Sequence, residues 1–250
     1  MKDLAAAITF LTRVPVPGRW EFDARDVGKG ARWFPLVGAL IGLAYTVAVW
    51  AVSPFLPALV IGAIVVGLEA VLTGALHLDG LADTADGFGG GHTREDVLRI
   101  MRDHAIGSYG GVALVLLVLL KVTAIAGLIE QHRPGPYLIL SPMLGRWSAV
   151  LLNCLLPYAR GTNTEGGQPG GAVSDFVGRR ELTIATLFSM LVAVPMGGWR
   201  GLVCWVSVIA LSAASAVVFR RRIGGVTGDT LGANTEMCEV TVLLAGLAMR

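Results

Sequence analysis

The sequence predicts an all-α fold, a polytopic transmembrane helix bundle, and three observations predict it. Of 250 residues, 54% are hydrophobic and only 15% charged, with a mean hydropathy of +0.67. Several apolar runs approach the roughly 20 residues that a helix needs to cross a bilayer. Lys and Arg are shared unequally between the segments that separate those runs, as orientation in a membrane requires. About seven spans are expected, with six plus a partial helix as the alternative. Residues 1–250 read as a single integral-membrane domain, without internal repeats.

The first 32 residues hold a modest amphipathic stretch, LAAAITFLTRVPVP, then a polar, basic segment reaching Arg32. A helix lying in the interface suits this better than a span. The apolar run Leu4 to Leu11 is short and soon meets Arg13 and prolines, so no cleavable signal peptide is expected. The first span is placed at about 33–52, uncharged throughout. Pro54 and Pro57 mark a turn, and the second span, about 58–78, carries only Glu69. Residues 79–111 form an acidic, glycine-rich motif loop. Inside it Thr93 has the character of an N-cap, with Asp96 three residues on, for a helix ending near Gly107.

A third span, about 112–129, contains Lys121, and a fourth, about 137–156, contains Arg146. Residues 157–181 are a polar, Gly-rich loop bearing Arg160, Arg179 and Arg180. Spans at about 182–197 and 202–219 follow, and after Arg220, Arg221 and Arg222 comes GGVTGDTLGANTE with a last apolar run to Met249. The three cysteines, Cys154, Cys204 and Cys238, stand singly in apolar segments, which offers neither metal-ligand spacing nor a disulfide framework.

Counting Lys and Arg orients the chain. With alternating spans, one side receives six from the N-terminal segment and three each from loops 79–111, 157–181 and 220–235; the other receives three. Fifteen against three puts the N-terminus and every long loop in the cytoplasm. The acidic motifs gather on that face. Net charge is only +2, and no nucleic-acid partner is expected. The lipid bilayer is one partner; self-association into a homo-oligomer is left open.

HLDGLADTADGFGGG, residues 77–91, sets Asp79, Asp83 and Asp86 within eight residues. At 100° per residue they fall within about 40° of one another on a helix. Like charges this close repel and call for a counter-charge; for an all-oxygen site Mg²⁺ is the first choice. The alternative is a solvated acidic helix end, which is slightly stabilising. Asp229 and Glu236, seven residues apart on one helical face with Gly232 between them, offer a second acidic wall. Two such walls could hold Mg²⁺ against a diphosphate. A helix N-terminus capped by Thr227 or Asp229 is the simpler reading.

The stretch RIMRDH supplies Arg99, Arg102, Asp103 and His104. Arg99 and Asp103 at i, i+4 make a surface ion pair the plain reading; the functional one gives Arg99 or Arg102 a phosphate and Asp103 a metal or a proton-accepting role. Arg160 joins the two arginines as a candidate substrate ligand. His77 would lie opposite the aspartates on a continuous helix, yet could serve as a base if the helix begins after it. The glycine runs 89–91, 107–111 and 166–171 match no phosphate-loop or dinucleotide fingerprint. Glu69 and Lys121, each about 15 Å from the cytoplasmic rim, are expected to pair inside the bundle.

HLDGLADTADG, followed by RIMRDHAIGSYGG and TGDTLGA with Glu236, closely resembles the cobalamin synthase family, the adenosylcobinamide-GDP ribazoletransferases. FLTRVPVP, WFPLVGALIG and Lys121 agree, so the resemblance covers essentially the whole chain. It implies a cobalamin-biosynthesis transferase of the bacterial cytoplasmic (inner) membrane with its active site facing the cytoplasm. α-Ribazole, or its 5′-phosphate, would displace GMP from adenosylcobinamide-GDP with Mg²⁺, forming adenosylcobalamin or its 5′-phosphate. On this scheme Asp79, Asp83, Asp86, Asp229 and Glu236 hold the metal, Arg99, Arg102 and Arg160 bind substrate, and Asp103 or His77 takes the ribazole proton. Without the resemblance, a Mg-diphosphate prenyltransferase within the membrane and a transporter using the three intramembrane charges would compete. The acidic residues sit at the rim rather than the midplane, which favours an enzyme.

Overall fold

The computed structural model describes residues 1–18, 20–103, 105–160 and 173–249, and nearly every regular element in them is helical. The short α1 (Lys2–Leu11) and α2 (Ala24–Gly30) precede α3 (Phe34–Val52), α4 (Ala58–Thr73), α5 (Leu76–Gly90) and α6 (Arg94–Ile100). Then come α7 (Ser108–Glu130), α8 (Pro134–Leu155), α9 (Arg179–Gly197), α10 (Trp199–Ile223) and α11 (Gly228–Ala248). The run 166–171 lies outside the described residues.

Among the described residues, five helical segments are long and apolar enough to cross a membrane: 24–52, which ends in α3, and α7, α8, α9 and α10. Their outward residues are apolar, among them Leu40, Val47, Leu116, Leu119 and Leu191. A water-exposed surface of that kind would be sticky; a lipid-facing one is ordinary. This is therefore a multi-pass membrane protein. The expected second span is broken. Gly74 and Ala75 both adopt left-handed backbone angles, φ +64° and +58°, so α4 ends and α5 leaves it at 93°. The pair makes a sixth span only if counted as one bent unit. Residues 79–90 of the stretch assigned to a loop at 79–111 are consequently part of helix α5, a correction with consequences for the site.

α11, a seventh segment, is 21 residues long and carries Asp229, Glu236 and Glu239, which keeps it out of the apolar class. It runs through the bundle interior. Its far end meets the turn after α7, where Arg133 Nη1 donates to Met249 O at 3.0 Å. The sequence reading expected about seven spans, or six plus a partial helix; the described residues hold five apolar spans, or six with the bent pair counted as one, and a 21-residue helix enclosed among them. α1, at ten residues, is too short to cross, and its Ala5, Ala6, Ala7 and Leu11 are buried against neighbouring helices instead of facing lipid.

Small residues let the backbones close up, the usual means of packing where lipid is as apolar as the core. A Cβ on Gly38 or Gly42 of α3 would lie 2.3 Å from Pro142 O or 2.4 Å from Leu138 O of α8. α8 is the most enclosed of the apolar helices, 67% buried along its apolar window against 22–39% for the other four.

The face that holds the acidic motifs is tied across its loops. Arg94 donates from Nε to Ile223 O at 2.8 Å and from Nη2 to Ala159 O at 2.6 Å. Arg222 Nη2 reaches Phe88 O and Gly91 O at 2.6 and 2.9 Å. Tyr158 and Val226 form an isolated parallel bridge that draws the segment after α8 to the mouth of α11.

Candidate active site

α11 begins at this mouth because Thr227 caps it: its Oγ1 accepts from Thr230 N at 3.2 Å, and Thr230 Oγ1 accepts from Thr227 N at 2.8 Å. Asp229 therefore sits in the first turn, where a carboxylate also meets the positive end of the helix. Glycines on both helices bring α5 against it. A Cβ on Gly80 would come within 2.8 Å of Asp229 O, and one on Gly232 within 3.3 Å of His77 Cα. Asp79, next to Gly80, lies near enough to Asp229 for the two charges to repel. Both line a cavity of about 150 Å³ that His77, Arg146 and Thr235 share, with Phe10, Leu11 and Phe34 as an apolar wall. The two acidic walls inferred from the sequence do meet, as Asp79 and Asp229.

Arg160 answers part of that charge. Its Nη2 donates to Asp229 Oδ2 at 2.8 Å, and the pair is mostly buried, so it is screened less than a surface ion pair. Tyr158 stands beside it, its hydroxyl pushed above its ordinary pKa by burial while the Arg160 charge pulls the other way. The charge of Arg102 also reaches Tyr158. Asp79 is exposed, and its carboxylate has no hydrogen bond or ion pair to any described residue. Asp83 follows one turn later, half-buried. Asp79 and Asp229 put two carboxylates on one cavity, the donor type that a hard divalent cation takes.

Other sequence candidates stand elsewhere. Asp86 is buried, with Oδ2 accepting from Gly107 N at 2.7 Å and Oδ1 from Gly110 N at 2.9 Å. It caps the start of α7 and fastens it to α5, which corrects its assignment as a metal ligand. Asp86→Ala would leave those N–H groups without their acceptor, one of them fully buried. A stability loss of about 2–3 kcal/mol is expected, measurable by unfolding in detergent, and it would exceed any loss of Mg²⁺ affinity in the folded fraction.

Glu236 is also not part of the mouth. It is 1% exposed, deep in the bundle, where Lys121 Nζ donates to Glu236 Oε2 at 2.7 Å, Glu239 Oε2 at 2.7 Å and both oxygens of Glu69 at 2.8 Å. The expected Glu69–Lys121 pair is there, inside a larger hub that Arg146 completes by an ion pair to Glu239 Oε1. The oxygens of Glu69, Glu236 and Glu239 lie within 4.8 Å of one another; an ammonium group fills the place a metal would need.

α6 ends at Ile100, so Arg99 and Asp103 do not share a helix. Arg99 pairs with Asp96 at 3.4 Å on the exposed side, away from the cavity. Asp103 is exposed on the following turn, its Oδ1 accepting from Ala105 N at 3.1 Å. His77 lies within α5 and lines the cavity after all, but Arg146 Nη2 is 3.3 Å from its Nδ1. A guanidinium can only donate, so Nδ1 accepts and Nε2 carries the hydrogen. That arrangement corrects its assignment as the base.

Sequence reasoning flagged Arg146 as an intramembrane charge without placing it at the cavity, and it missed Glu239 and the Phe10–Phe34 wall. Glu239 falls three residues after Glu236, one turn along the same face, which was a usable signal.

A family model described as cobalamin-5-phosphate synthase matches residues 3–247. A relative from Shewanella putrefaciens is 39% identical over 240 residues, covering 95% of this chain and 90% of its own length. Others from Shewanella oneidensis and Shewanella baltica are 38% identical over 236 residues, 94% of this chain and 89% of theirs. All three are named adenosylcobinamide-GDP ribazoletransferase. No solved structure matches.

Proposed function

The chain belongs to the cobalamin-5-phosphate synthase family, and we infer from that membership that it is a transferase of cobalamin synthesis acting on adenosylcobinamide-GDP. The acceptor is α-ribazole or its 5′-phosphate. A ribazole hydroxyl oxygen bonds to the phosphorus that carries the cobinamide. The bond from that phosphorus to the bridging oxygen breaks, GMP leaves with the electron pair, and the hydroxyl proton passes to a base.

One observation supports this placement of the chemistry: Asp79 of α5 and Asp229 of α11 share a cavity with an apolar wall and the buried Arg146. Mg²⁺, when bound, supplies neutralisation of charge on the diphosphate. Asp79 and Asp229 would hold it, with Asp83 one turn away. Arg160 fixes the Asp229 carboxylate and, with Arg102 at the rim, gives the departing GMP a cationic surface. The apolar wall limits water, which would otherwise compete with ribazole for the phosphorus. Asp103 remains the proposed proton acceptor, since its turn also carries Arg102. The count of fifteen Lys and Arg on this face supports a cytoplasmic orientation in the inner membrane.

The test is GMP release from adenosylcobinamide-GDP by the purified protein. Release is expected only with α-ribazole or its phosphate and a divalent cation present. Release that ignores the acceptor, or turnover of isoprenyl diphosphates instead, would sink the reading.

A further inference from the structure

Arg146 is fully buried on α8, yet it is among the residues that line the cavity shared by Asp79 and Asp229. It is fixed from behind. Nη1 is paired with Glu239 Oε1, whose other oxygen takes a 2.7 Å bond from Lys121, and Nη2 meets His77 Nδ1 at 3.3 Å. Its Nε–H is buried and has no partner among the described residues.

A purely structural role explains the Glu239 and His77 contacts. It explains neither the cavity position nor the unused donor. A buried cationic donor left unmade is costly and uncommon. A lysine could balance Glu239 just as well; what a guanidinium adds is a planar fork of donors that matches phosphate oxygens.

We propose that Arg146 binds a phosphate of the nucleoside-diphosphate-linked substrate within the cavity. This rests on the transferase reading for the identity of the substrate, and on the cavity alone for its chemistry. A diphosphate entering here would face repulsion from Asp79 and Asp229, and Arg146 is the arginine that lines the same cavity. The Lys121 hub makes the guanidinium rigid before substrate arrives, so little ordering remains to be done on binding.

The experiment measures equilibrium binding of inorganic pyrophosphate and of GDP, with Mg²⁺, to full-length protein in nanodiscs. Wild type, Arg146→Lys and Arg146→Gln are compared, with thermal unfolding in parallel. Arg146→Lys keeps a cation near Glu239 but loses the fork. It is expected to stay folded and to bind both probes about tenfold or more weakly, with a matching rise in KM for adenosylcobinamide-GDP. Undiminished pyrophosphate binding by either folded variant would overturn the assignment. So would unfolding of Arg146→Lys, which would place the arginine's whole role in packing. If wild type releases no GMP yet Arg146→Lys still weakens pyrophosphate binding, the transferase reading fails while Arg146 as a phosphate ligand stands.

Discussion

Asp79→Asn is expected to cut GMP release on the order of 100-fold or more, with the fold intact, because a carboxylate that holds a catalytic cation contributes several kcal/mol to the transition state. The residue is well suited to this test. It is exposed, and the amide is nearly the same size, so stability is expected to change by no more than about 0.5 kcal/mol. The loss should be partly recovered at high Mg²⁺ if binding of the ion is what has weakened. Asp229→Asn is a less clean probe, since it also removes the ion pair to Arg160. Steady-state rates across a Mg²⁺ titration, beside thermal unfolding of each variant, separate these effects. An Asp79→Asn enzyme with wild-type rate and unchanged Mg²⁺ dependence would remove the acidic cavity from the chemistry.

The spans were legible because they depend on local composition. A run of apolar residues needs no knowledge of tertiary contacts. The break between α4 and α5 was not legible. Ala75 takes a left-handed conformation that few non-glycine residues adopt and that no proline announces. The acidic residues show a second limit. Helical angle places Asp86 beside Asp79 and Glu236 beside Asp229, but seven residues are also about 10 Å along the axis. That rise takes Asp86 to the start of α7 and Glu236 down to Lys121. Sharing a face is therefore not sharing a site. The encounter of Asp79 with Asp229 depends on the close approach at Gly80 and Gly232, and only the second of these glycines was noticed as a place where helices could meet.

Lys121→Met should be the most destabilising single change, by about 3–5 kcal/mol, because it leaves buried carboxylates without their counter-charge. An ammonium group has three N–H donors, and here they face three carboxylates, Glu69, Glu236 and Glu239, all in the bundle core. Arg146 pairs only with Glu239 among them, so two would remain uncompensated. Glu69→Gln should cost less, since Lys121 keeps its other two partners. The double variant should then be less destabilised than the two single losses combined, with a coupling of about 1 kcal/mol or more. Reversible unfolding in mixed micelles, run as a double-mutant cycle, gives that number. Zero coupling would mean that the contact at 2.8 Å carries no energy of its own. The same cycle bears on catalysis: Lys121 holds Glu239 and Glu239 holds Arg146, so Lys121→Met protein that does fold should bind pyrophosphate weakly although Lys121 itself never touches the cavity at Asp79.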